Sequence, residues 1–101
     1  MHFFRSGAKL DDIFNIDPSL IGYAQLCDVP MISKGGTYME EAMFGGMVPG
    51  TGELPLREWI AALPADLEIG LEVPMIDELQ AGLSPRDHAA RVITAARELG
   101  A

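Results

Sequence analysis

Residues 20–29, LIGYAQLCDV, form a mostly apolar run without clean alternation of polar and apolar positions. That pattern is the signature of a strand covered on both faces in a parallel sheet. A second run, LEIGLEV at 67–73, follows a segment of helical pattern, and another helical pattern follows it in turn. Strands alternating with helices argue for a parallel α/β sheet. This order of elements constrains the fold more than any other feature of the chain.

The remaining segments fit the same scheme. HFF at 2–4 is a short aromatic run compatible with the end of a strand. Leu10, Ile13 and Phe14 recur at helical spacing, which predicts a helix over 8–15 that stops before Asp17-Pro18. After the strand predicted over 20–27 comes a long segment rich in Gly and Pro, 30–54. Connections of this length are often lids or binding segments. Within it Thr37 and Glu40 are spaced as a capping box, which predicts a short helix over 38–44 with Gly45-Gly46 as its stop.

A helix is predicted over 55–63, with Pro55 in its first turn and Leu56, Trp59, Ile60 and Leu63 on one stripe. After the strand at 67–73, PMIDELQAGL reads as a turn or short helical excursion. The last helix, 85–99, has Ser84 as N-cap, Pro85 at its first position and Gly100 as its end. A (β/α)8 barrel takes roughly 250 residues, about 31 per unit, so the chain has room for about three consecutive units with helices on the outer face.

The chain has 7 Lys+Arg against 15 Asp+Glu, a net charge of -8. This is the wrong sign for nucleic acid or an anionic membrane surface, and it is compatible with binding a divalent cation. One cysteine forms no disulfide within the chain, so a reducing, cytoplasmic compartment is expected. No apolar run approaches the roughly 20 residues of a membrane span, and MHFFRSG lacks the apolar segment of a signal peptide.

Alternation along the two strand-like runs separates their faces. Tyr23, Gln25 and Cys27 share one face and Gly22, Ala24 and Leu26 the other. Glu68, Gly70 and Glu72 likewise oppose Leu67, Ile69, Leu71 and Val73. In a barrel the polar faces point inward, and residues at the carboxyl ends of the strands reach the mouth where active sites are built. Gln25 and Glu72 are therefore expected to converge on one ion or substrate. A carboxylate amid the apolar neighbours of GLEVP is costly to bury without a partner, and a metal ion would be one.

Together HFFRSG, IGYAQLCDVP, PGTGELPL and IGLEVP resemble the carboxyl-terminal third of the xylose-isomerase-like sugar phosphate isomerase/epimerase barrels. The Gln of YAQLCD with the following PGTGE is most similar to the hydroxypyruvate isomerase-like branch; many relatives have His at that position. The resemblance implies a divalent ion, Mg2+ or Mn2+, with Gln25 as a ligand through its amide oxygen and Glu72 as both ligand and catalytic acid/base. It implies that His2 contacts a small carbonyl sugar or hydroxy acid. The reaction implied is proton transfer through an enediolate, common to isomerisation and epimerisation. The family's other ligands and its first catalytic Glu would lie outside this chain, which alone is then expected to bind metal poorly and catalyse little.

Other residues have plainer expectations. Arg5 is a candidate contact for a substrate phosphate or carboxylate, with a surface salt bridge as its alternative. Asp28 is expected to orient the site or cap the loop turn, Cys27 to be a buried thiol, and His88 to lie on the solvated side of its helix. Glu40 and Glu41 are expected on a solvated helix face, and PGTGE lacks the Lys and the spacing of a phosphate loop. From a different class comes the alternative of a non-catalytic α/β module. Its open sheet edges would pair with the remainder of a barrel or with another copy.

Overall fold

The computed structural model describes all 101 residues. In chain order the elements are α1 (His2–Arg5), α2 (Leu10–Phe14), a 3-10 turn (Pro18–Leu20), β1 (Ala24–Leu26), α3 (Tyr38–Phe44), α4 (Leu56–Ala62), β2 (Ile69–Leu71), α5 (Ile76–Gln80) and α6 (Pro85–Glu98). The protein is a mixed helix and sheet fold with six helices and a two-stranded parallel sheet. The register pairs Ala24 with Ile69, Gln25 with Gly70 and Leu26 with Leu71. Backbone bonds Ala24 N–H to Glu68 O (3.0 Å) and Glu72 N–H to Leu26 O (3.1 Å) extend the ladder at its two ends.

Helix ends lie where short-range chemistry places them. Thr37 accepts from the Glu40 N–H at 3.1 Å while Glu40 accepts from the Thr37 N–H at 2.7 Å, closing the capping box of α3. Ser84 accepts from the Asp87 N–H at 3.1 Å, and Pro85 begins α6.

Several segments depart from the sequence expectation: the helix expected over 8–15 is Leu10–Phe14 and the strand expected over 67–73 is Ile69–Leu71. HFF is no strand end: His2–Arg5 is one helical turn, with Arg5 N–H donating to Met1 O and Ser6 N–H to His2 O. A strand needs a neighbour to satisfy its backbone groups, whereas a helical turn satisfies them locally, and no strand runs beside this segment. The strand expected over 20–27 is confined to Ala24–Leu26. Asp17 accepts from the Ser19 N–H at 3.0 Å and starts the 3-10 turn that takes up Pro18–Leu20.

The core lies on the apolar side of the sheet. Ala24 and Leu26 are buried while Gln25 between them is exposed, as alternation requires. Leu26, Val29, Leu54, Leu56 and Ala96 form one cluster, with Trp59, Ile69 and Leu99 packed against it. Val73, Met75 and Val92 form a second, joined by Leu71 and Leu83. Helix α6 packs on β2 and α2 on α4. No helix is long and apolar enough to cross a membrane.

Candidate functional site

Gln25 and Glu72 lie on the exposed side of the sheet at the carboxyl ends of adjacent parallel strands. The Gln25 side chain lies along the space left by Gly70, where a Cβ would stand 3.9 Å from Gln25 Cγ. Both residues line a cavity of about 210 Å3, together with His2, Cys27, Glu41 and Trp59. The structure thus brings together three of the residues singled out in the sequence, His2, Gln25 and Glu72. The Met1 amino group stands 3.8 Å from Cys27 Sγ on the same wall, and Cys27 itself is half-buried.

Arg5 does not line this cavity. Its Nε donates to Glu41 Oε1 at 2.5 Å and its Nη2 to Glu41 Oε2 at 3.0 Å. The same guanidinium donates to Pro30 O at 2.6 Å and Met31 O at 2.7 Å. Such a two-point pair is the strong geometry for guanidinium and carboxylate. The side chains are only 13% and 10% exposed. Hydrogen bonding to Arg5 holds the Glu41 carboxyl below its usual range against the opposing effect of burial, with the Arg5 charge helping. The Glu41 bond in turn raises Arg5. Glu41 is therefore not on a solvated face as expected: it ties α3 to α1 and puts a second carboxylate on the cavity wall. His2 makes the other tie, its Nδ1 hydrogen-bonded to the Tyr38 hydroxyl.

Asp28 shows what holds PGTGE in place. Its side chain is fully enclosed, at 0% exposure. Oδ1 accepts from the N–H groups of Val29 (2.9 Å) and Leu54 (3.2 Å), and Oδ2 from those of Gly50 (2.9 Å) and Gly52 (2.9 Å). Successive inward-pointing N–H groups form an anion-binding concavity, and here the anion is the protein's own carboxylate. A Cβ at Gly52 would stand 2.6 Å from Asp28 Cγ and 2.7 Å from Val29 O, so only glycine permits this approach. The loop is thereby taken out of consideration for phosphate.

His88 is a correction as well. Instead of facing solvent, it is half-buried with Nε2 2.7 Å from Val73 O, bonding α6 to the segment after β2. Trp59 Nε1, on the cavity wall, is the one buried side-chain nitrogen or oxygen without a hydrogen-bond partner. The nitrogen itself is closed off from solvent, so the residue lines the cavity while its N–H stays enclosed and unpaired. Nothing in the local spacing around Trp59 marks it; its indole was expected only on the apolar stripe of α4.

Chemically, the cavity offers two carboxylates, an imidazole and a primary amide around a small space. No group of three or more His, Cys, Asp or Glu converges to hold a metal ion. Gln25 and Glu72 would supply two of the roughly six oxygen donors that Mg2+ takes, the others coming from water or substrate. No family model, curated protein or solved structure matches the chain.

Proposed function

We propose that this chain is part of a (β/α)8-barrel isomerase or epimerase that moves a proton next to the carbonyl of a small sugar, sugar phosphate or hydroxy acid. The observation that carries the reading is that Gln25, opposite Gly70, and Glu72, two residues further along the same face, line one cavity toward the carboxyl ends of two parallel strands, with His2 on the same cavity. Carboxyl ends of parallel strands are where barrel enzymes assemble their sites.

In this reading the Glu72 carboxylate takes the proton from the carbon beside the carbonyl and, in isomerisation, returns it to the former carbonyl carbon; in epimerisation a second acid from the rest of the barrel protonates the opposite face. Gln25 and His2 hold substrate oxygens, so that the developing enediolate meets donors already in place. In the full-length gene product, Glu72→Gln keeps the shape and removes the base, and turnover is expected to fall about 10^2- to 10^4-fold. Unchanged turnover of small aldose, ketose and hydroxy-acid substrates would sink the assignment.

A second reading, a non-catalytic assembly module, draws support from the unpaired outer edges of β1 and β2. An inactive full-length product whose association is lost when a proline is placed in β1 would favour it.

A further inference from the structure

The wall of the cavity that carries Glu41 and Ala42 is α3, and this helix is held in an unusual way. None of its residues is buried, and Tyr38, Met39, Met43 and Phe44 turn large apolar surface to solvent. Its side-chain hydrogen bonds to the rest of the fold are polar ties to α1, Arg5 with Glu41 and His2 with Tyr38. The chain on either side of it is fixed. Pro30 O and Met31 O accept from Arg5, and the Met31 N–H donates to Glu53 Oε1. Beyond the helix, Met47 exchanges both backbone hydrogen bonds with Asp28, at 3.0 and 2.8 Å. Between these anchors Gly35 and Gly36 adopt φ of +119° and +76°, a left-handed region open chiefly to glycine.

We propose that residues 32–46 are a hinged lid over the cavity, and that the Arg5–Glu41 ion pair is the latch that holds it shut. Packing does not hold α3 closed, since the helix buries no residue; two directional polar contacts do, and contacts of that kind break singly. Opening swings the segment about Gly35-Gly36 at one end and Met47 at the other, and it uncovers the half-buried Cys27. Closing returns the Glu41 carboxylate to the wall. The inference needs only the cavity and not the reaction proposed for it.

Cys27 is the only cysteine in the chain, and it lies in the cavity beneath the lid. The rate at which neutral iodoacetamide alkylates it therefore reports opening, while amide hydrogen exchange shows which segment moves. In the full chain at neutral pH, Glu41→Gln is expected to raise the alkylation rate about tenfold, the effect of losing a charge-assisted pair of roughly 1.4 kcal/mol. The amides of 38–44 lose protection in this variant, while those of 24–26 and 69–71 keep theirs. Arg5→Met acts in the same direction and also frees Pro30 O and Met31 O, and adding Glu41→Gln to it moves neither readout further, because both remove the same latch.

Additive effects, or an alkylation rate and a protection at 38–44 that both stay at the starting value, overturn the proposal. Should a variant unfold as a whole, the unaltered protein decides. There the 38–44 amides must exchange ahead of the two strands, and exchange of helix and sheet in one step refutes a separate lid. These readouts involve no turnover, so a latch that fails leaves the isomerase reading standing, and a Glu72→Gln variant of full activity leaves the lid standing.

Discussion

Asp28 has no charged partner, yet its carboxylate is fully enclosed, because four backbone N–H groups replace the water it gives up. The arrangement makes CDVP and PGTGEL one unit although the bonded residues stand up to 26 apart in the chain. Asp28→Asn turns an N–H donor toward some of those N–H groups and leaves others unsatisfied. It is expected to lower stability by about 2–4 kcal/mol, seen as a fall in the urea midpoint with an unchanged slope. A midpoint equal to that of the parent would mean that the loop does not depend on the carboxylate. From sequence alone Asp28 read as a turn cap or an orienting group, since no local spacing shows which distant amides a carboxylate will meet. Arg5 illustrates the same limit. A salt bridge was one expectation for it, but its partner, 36 positions away, is the Glu41 that read as a solvated residue.

Among the elements, α3 spans the 38–44 that its capping box and glycines predicted and α6 begins at Pro85 after its Ser84 cap, because capping is settled within four residues, whereas α4 runs from 56 to 62 with Pro55 just outside it. The strands are shorter than their apolar runs, since a strand extends only as far as its neighbour offers a ladder, and β2 offers three residues. For α1 the aromatic run suggested a strand, and the absence of a neighbour made it a helical turn. The attachment of α3 carries a pH dependence of definite sign. Hydrogen bonding to Arg5 holds the Glu41 carboxyl below its ordinary value of 4.5, with smaller help from the Arg5 charge, the Ser33 hydroxyl and the Met1 amino group. A group whose pKa is lower folded than unfolded adds stability above its unfolded value, and that stability is lost as pH falls through the folded value. Protection of the 38–44 amides, corrected for intrinsic exchange, is therefore expected to hold at neutral pH and to drop only as pH falls below 4.5. In Glu41→Gln the drop is absent, and a drop of equal size in that variant would assign it to another group.

At the scale of the whole molecule, the accessible surface of 6604 Å2 exceeds the roughly 5,600 Å2 that a monomer of this mass presents. Only 12 of 101 residues are buried, and the extents of 43 × 29 × 19 Å describe a flattened body. Two strands give a sheet with two open edges, and Leu20, Tyr23 and Ile32 lie exposed. Three or more strands with a covered face are the usual condition for independent stability. The 101-residue chain is accordingly expected to be of marginal stability, or to associate as its concentration rises in sedimentation velocity. A concentration-independent monomer melting above about 65 °C, the upper end for ordinary domains, would contradict this.

What the sequence by itself determined was local: helix limits set by caps, the two faces of each strand set by alternation, and an acidic surface set by composition. The convergence of Gln25 and Glu72 was legible too, because alternation and strand order both act over short range or along one direction. Tertiary structure alone decided the pairings across the chain. It placed four distant amides on Asp28, Glu41 on Arg5, the Val73 carbonyl on His88 and the unpartnered indole of Trp59 on the cavity wall. Each of these depends on which groups folding brings within about 3 Å of one another, and buried polar groups take the partners that the packed backbone supplies.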